Sequence, residues 1–172
     1  MDASVIHDTE ERFRADPDAA KATPTVSATL VNGRARLSAG PFNWEADLPP
    51  ALGGGNLAPS PTAYLLGALA GCGVVFVRDT LAPQLGIQID DVSAVARCAT
   101  DAGGLLGMSG AVPDLGDIEL EIQITSPEPA ERIAELQRVW EERCPIYLAI
   151  TKPNGVALRL TTAETATATA TT

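Results

Sequence analysis

Three cysteines, two arginines beside a hairpin turn and a few carboxylates are the residues of this 172-residue chain whose types could do chemistry. Cys144 stands immediately before Pro145, and proline suits the first position of a helix. A thiol placed there caps the helix and faces the positive end of its dipole, which lowers its pKa and favours the reactive thiolate. Arg143, next to it, adds positive charge. Cys72 lies within the most apolar segment of the chain, where a thiol is either a small hydrophobic core residue or, with a cation aimed at it, a nucleophile. Cys98, in the run SAVARCAT, shares the parity of Val92, Ala94 and Ala96 and reads as a small core residue. Arg34 and Arg36 lie on one face of a strand after an Asn-Gly turn. They are surface arginines or guanidinium groups aimed at a buried thiolate. Glu141 and Glu142 read as the solvated end of a helix.

Other chemistries are excluded by what the chain lacks. There is no Cys-x-x-Cys, and the single histidine, His7, is near the N-terminus, so clustered zinc ligands are absent. A thiol-nucleophile hydrolase would lack its base for the same reason. An odd count of three cysteines suits a reducing cytoplasm better than secretion. The net charge of −10 and pI near 4.4 argue against nucleic acid or an anionic membrane surface as partner. The first 21 residues mix acids and bases and carry no secretory signal. The apolar run over 63–77 spans 15 residues, short for a membrane crossing, and reads as a buried core helix.

These residues depend on the elements around them, and a chain of this length suits one core. Residues 2–21 read as a short charged helix ending near Asp16-Pro17. Residues 25–31, 34–38 and 42–48 read as a three-stranded antiparallel meander turning at Asn32-Gly33 and Gly40-Pro41. Residues 52–61 form a loop whose end, Ser60-Pro61, starts a helix over 62–81 that is apolar nearly all round and therefore central. Its Gly67, Gly71 and Gly73 each cost about 1 kcal/mol relative to Ala, offset by close approach of another backbone.

Residues 86–100 read as a strand bulged at Asp90-Asp91. Residues 117–125 read as a strand with Ile118, Leu120, Ile122 and Ile124 inward. Ser126-Pro127 starts an amphipathic helix with Ile133, Leu136, Val139 and Trp140 on one face, ending near Arg143. Cys144-Pro145 starts a short helix over 146–150. Asn154-Gly155 precedes a last strand over 156–160, and TTAETATATATT is a low-complexity, disordered tail. The order βββ–α–ββ–α–α–β indicates an α+β domain over 25–161, between a charged arm, 1–24, and the tail, 162–172.

GGGNLAPSPTAYLLGALAGC, followed later by ERCPIYLAI, resembles the OsmC/Ohr family of osmotically induced and organic hydroperoxide resistance proteins, over residues 26–160. Pro61 stands eleven residues before the helical Cys72, and Cys144-Pro145-Ile146 completes the paired signature. ERFRADP in the arm resembles an OsmC-like branch with an N-terminal extension. The resemblance implies an OsmC-like fold, with antiparallel sheets and two central helices, in which two chains intertwine as a homodimer with active sites at the interface. It implies a thiol-dependent peroxidase that reduces organic hydroperoxides or hydrogen peroxide in oxidative stress defence. Cys72 would attack and become a sulfenic acid, and Cys144 would condense with it to a disulfide. An external dithiol or reductase would reset the pair, with no bound cofactor. Arg34 matches the family's arginine. Hydroperoxide-reducing members carry a glutamate just after the proline, and close relatives one residue later. Here those positions are Thr62 and Ala63, leaving Glu45 or Asp47 to hold the arginine. The same fold without this chemistry would bind a small apolar molecule in the interface pocket.

Overall fold

Proline, glycine and side-chain caps set most element ends in the computed structural model, which describes residues 3–152 and 155–162. The chain forms α1 (Ala3–Ala15), β1 (Ser27–Val31), β2 (Arg34–Ala39), β3 (Phe42–Ala46), α2 (Pro61–Phe76), α3 (Ala82–Leu85), β4 (Asp91–Ala99), α4 (Ala102–Leu105), β5 (Gly116–Thr125), α5 (Ala130–Arg143) and α6 (Pro145–Thr151). Pro17 disfavours a helical residue before it. Asp16 is accordingly extended, and its side chain caps the short 3-10 turn Pro17–Ala20. The arm packs on the body through a hydrogen bond from the Gln84 amide to Glu10.

The strands form two separate antiparallel sheets, β1-β2-β3 and β4-β5. Asn32 and Gly33 both take positive φ, 51° and 78°, as a two-residue hairpin turn demands. The register aligns Arg36 with Glu45 across β2 and β3. In the second sheet, β5 alternates half-buried and exposed residues as its sequence pattern requires.

α2 starts where expected: Pro61 follows Ser60, whose hydroxyl accepts the Ala63 N–H at 3.2 Å. The helix does not stop at residue 81. A π-helical turn, Val77–Leu81, leads directly into α3. That wider turn, in which the Ala82 N–H reaches the Val77 carbonyl, lets the chain carry Pro83 while burying both Val77 and Leu81. The whole run Pro61–Leu85 is, by length and composition alone, long and apolar enough to cross a membrane. In the fold its Leu69, Val77 and Leu81 join the core with Leu136, Val139 and Trp140 of α5. Leu65 and Val75 of the same helix remain exposed.

Four expectations are corrected. The strand expected over 86–100 begins only at Asp91, and its irregularity lies between Arg97 and Ala99 rather than at Asp90-Asp91. There Asp117 of β5 takes φ 46° and leaves Cys98 outside the pairing register. Ser126-Pro127 does not start α5. The Ser126 hydroxyl donates to the Gln88 carbonyl at 2.6 Å and accepts the Glu128 N–H at 3.1 Å, so it is spent on a turn, and the helix begins at Ala130 after Pro129. Of the three glycines, only Gly73 lies close to another segment. A Cβ there would meet Ile122 and Ala94 side chains at 3.1–3.3 Å, whereas Gly67 and Gly71 have nothing within 4 Å. The last strand, 156–160, is not formed. Val156, Leu158 and Leu160 are 91%, 87% and 92% exposed, because an alternating pattern needs a free edge beside it to become a strand. Asn154 and residues 163–172, where the chain break and the disordered tail were expected, lie outside the described residues.

Candidate functional site

Cys72 and Cys144, from two helices far apart in sequence, meet in the core. Cys72 is half-buried on α2, while Cys144 is 0% exposed between α5 and α6. Their sulfurs are 3.1 Å apart, within hydrogen-bond reach of each other. A disulfide is about 2.05 Å long, so closing one requires the sulfurs to approach by about an ångström. Cys144 holds its place twice over. Its N–H ends α5 on the Trp140 carbonyl at 2.8 Å, and its sulfur caps α6 by accepting the Tyr147 N–H at 3.4 Å. Pro145 supplies the first helical position, where an N–H would have no partner within the helix.

The Cys72 thiol is pushed up to about 12 by burial first, and then by the hydrogen bond and charge of Cys144. The Ile146 N–H, at the start of α6, is the opposing influence. In this environment Cys72 is a protonated thiol at neutral pH, and it needs a cation before it can act as a thiolate.

The groups that act on the Cys72 thiol do not include Arg34, whose partner is Glu45. Arg34 Nε lies 2.9 Å from Glu45 Oε2, both side chains mostly buried, and Arg36 reaches the other carboxylate oxygen at 4.0 Å. The approach is off the N–H direction, so the buried Nε makes no aligned hydrogen bond. Glu45 is fixed from behind by the Tyr64 hydroxyl, which donates to its carbonyl at 2.5 Å from the first turn of α2. Asp47 has another task. Its carboxylate accepts the N–H groups of Leu57, Leu48 and Gly55, which hold it below the usual carboxylate range with Arg34 nearby. It thereby shapes the glycine loop that leads into α2. Of the two acids that sequence left open for the arginine, Glu45 makes the ion pair and Asp47 orders the loop.

Cys98 is half-buried on β4, and His7 pairs with Glu11 on the exposed arm. Two residues next to the pair were not singled out as functional from sequence: Trp140 and Tyr147. The indole Nε1–H of Trp140 donates to the Cys72 carbonyl at 3.4 Å, and its ring lies 5.3 Å from that of Tyr147. Their signal was rarity, since two tryptophans and two tyrosines serve the whole chain. Both also line a cavity of about 610 Å³ between α5, α6 and the inner face of β5. Its walls are mainly Leu and Ile, with Gln137, Glu141 and Thr151 as polar groups.

The chain matches the profile of the family described as OsmC-like protein over residues 53–159. No curated protein matches it. Among solved structures it is similar to an OsmC-like protein from Mycoplasma pneumoniae, 22% identical, covering 76% of this chain and 88% of that one with a TM-score of 0.62. An organic hydroperoxide resistance protein OsmC from Legionella pneumophila is also 22% identical, covering 76% and 90% with a TM-score of 0.58. A third, from Elizabethkingia anophelis and described as an organic hydroperoxide resistance protein, is 17% identical over 76% and 89%, with a TM-score of 0.59. These likenesses share the mixed helix and antiparallel-sheet fold.

Proposed function

The chain belongs to the OsmC-like protein family, and on that premise we propose that it is a cytoplasmic thiol-dependent peroxidase working through Cys72 and Cys144. The observation that carries the reading is the 3.1 Å separation of two free thiols held by different helices. Two solved relatives are described as organic hydroperoxide resistance proteins, which favours organic hydroperoxides as substrate over hydrogen peroxide.

In this reading the half-buried Cys72 meets the peroxide and the fully buried Cys144 resolves it. The Cys72 thiolate attacks one peroxide oxygen, the O–O bond breaks, and the other oxygen leaves with a proton as alcohol or water. The Cys144 sulfur then displaces hydroxide from the Cys72 sulfenic acid, which departs as water with the Cys144 proton. An external dithiol reduces the disulfide and leaves oxidised. Arg34 is the cation that Cys72 lacks. Because it pairs with Glu45 in its own chain, we assign it to the site of a second copy in a homodimer. The open apolar face of α2 and the exposed Leu30 and Phe42 of the first sheet support such a partner.

The test is peroxide consumption with a dithiol reductant, comparing wild type with Cys72→Ser and Cys144→Ser. Wild type should turn over, Cys72→Ser should not, and equal rates in all three would remove the peroxidase reading. The 610 Å³ apolar cavity favours one alternative, a non-catalytic protein that binds a small apolar ligand. Intact mass after mild peroxide separates the two. Loss of two hydrogens with Cys72 joined to Cys144 argues against a pure binder, and an unchanged mass supports one.

A further inference from the structure

We propose that Trp140 is the positioning residue of the thiol pair: it holds the backbone at both cysteines and so sets the distance across which the disulfide closes. This rests on the reading that Cys72 and Cys144 form that disulfide.

The two cysteines sit on helices 72 residues apart in sequence, so no local geometry fixes their separation. Trp140 connects them. It lies one turn before Cys144 on α5 and is 4% exposed. Its carbonyl accepts the Cys144 N–H at 2.8 Å, the bond that ends α5 at the cysteine. Its indole Nε1–H crosses to α2 and donates to the Cys72 carbonyl at 3.4 Å. The ring packs at 51° against Tyr147, the residue whose N–H the Cys144 sulfur accepts. The buried side chain therefore bears on Cys72 and on the turn that aims the Cys144 sulfur, while the same residue's backbone carbonyl holds the Cys144 N–H. An indole buried among aliphatic residues normally finds a partner for its N–H, and here that partner is the peptide of a redox cysteine. Closing the pair needs a movement of about an ångström, and misplacement on that scale is what a reacting geometry tolerates least.

The test replaces Trp140 by Phe, which keeps a buried ring and the backbone carbonyl and removes the N–H. Reduced wild type and Trp140→Phe are equilibrated with mixtures of reduced and oxidised glutathione. In this exchange the protein dithiol loses two electrons and two protons, its S–S bond forms, and oxidised glutathione is reduced to two thiols. The fraction of intramolecular disulfide is read by intact mass. The effective concentration of one cysteine toward the other is expected to fall about fivefold in the variant, the size of one modest hydrogen bond. Sulfenic acid trapped at Cys72 by dimedone after peroxide should rise correspondingly.

A merely structural residue would lower the thermal midpoint and leave both readouts unchanged, which would overturn the proposal. A second measurement needs no substitution. The indole N–H of Trp140 should exchange slowly with solvent in the reduced wild type and change its chemical shift on oxidation. Rapid exchange would also overturn the proposal. If wild type forms no disulfide at any glutathione ratio, the redox-pair reading fails and this inference with it. If wild type forms one and Trp140→Phe matches it, only the role of Trp140 fails.

Discussion

At neutral pH the Cys72 thiol is protonated, and what keeps it so includes its own redox partner. Because Cys144 is one of the causes that raise it toward 12, replacing Cys144 by Ser should bring the Cys72 pKa down. The expected result is faster alkylation of Cys72 by iodoacetamide at fixed pH in Cys144→Ser than in wild type, measured on the Cys72 peptide. In wild type the same rate should climb about tenfold per pH unit through the neutral and mildly alkaline range, because only the thiolate reacts. A slower reaction in the variant would mean that the Cys144 thiol helps Cys72 ionise instead of hindering it. Glu45 belongs to this scale too. If it orients Arg34, Glu45→Gln should lower kcat/KM for a hydroperoxide about tenfold, while Arg36→Ala, which alters only the 4.0 Å outer contact, stays within about twofold. Pro145 marks Cys144 in the sequence, whereas Cys72 and Arg34 stand out only through the family signature. The acid was narrowed only to Glu45 or Asp47, because Glu45 reaches Arg34 through the β2–β3 register, which a motif of consecutive residues does not contain.

Elements were legible where a local rule decided them. Ser60-Pro61 and Cys144-Pro145 start helices because the cap and the proline act within a few residues. Ser126-Pro127 carries the same signal and starts none, since Gln88, from a distant loop, takes the serine hydroxyl. The strand expected over 156–160 fails for a related reason: its residues have the right alternation, but pairing is a tertiary event. Cys144 offers a test of the local rule. Its sulfur caps the start of the seven-residue α6 by accepting the Tyr147 N–H. Serine retains an acceptor, so Cys144→Ser should preserve amide protection of residues 147–151 in hydrogen exchange. Cys144→Ala should lower that protection and cost about 1 kcal/mol of stability. Equal protection in the two variants would show that packing, not the cap, holds α6. Asp47 makes the corresponding prediction for the loop before α2. Its lowered pKa places its contribution above the ordinary carboxylate range. Stability is therefore lost as pH falls through the depressed folded-state value, and Asp47→Asn should flatten that acid limb of the thermal midpoint.

For the whole molecule, the question is what lies against the open face of α2. Two of the three glycines on this helix give opposite answers for one chain and for two. At Gly73 an added methyl group meets Ile122 and Ala94 within the chain, so Gly73→Ala should destabilise in either case. At Gly67 and Gly71 nothing lies within 4 Å. For an isolated chain, each of those substitutions to Ala would gain about 1 kcal/mol from helix propensity alone. If a second copy packs on this face, as we propose, the methyl groups fall into that contact. Gly67→Ala and Gly71→Ala should then cost about 1 to 3 kcal/mol through overpacking and shift a dimer toward monomer. The checks are the thermal midpoint at several protein concentrations and sedimentation velocity. Because the sign of the change differs, a rise in midpoint with no change in mass would remove the second copy. It would also remove the route by which Arg34 reaches Cys72, leaving a thiol near 12 with no cation to ionise it. The peroxidase reading at the residue scale thus depends on an interface at the molecular scale, and the two glycines decide it without any assay of activity.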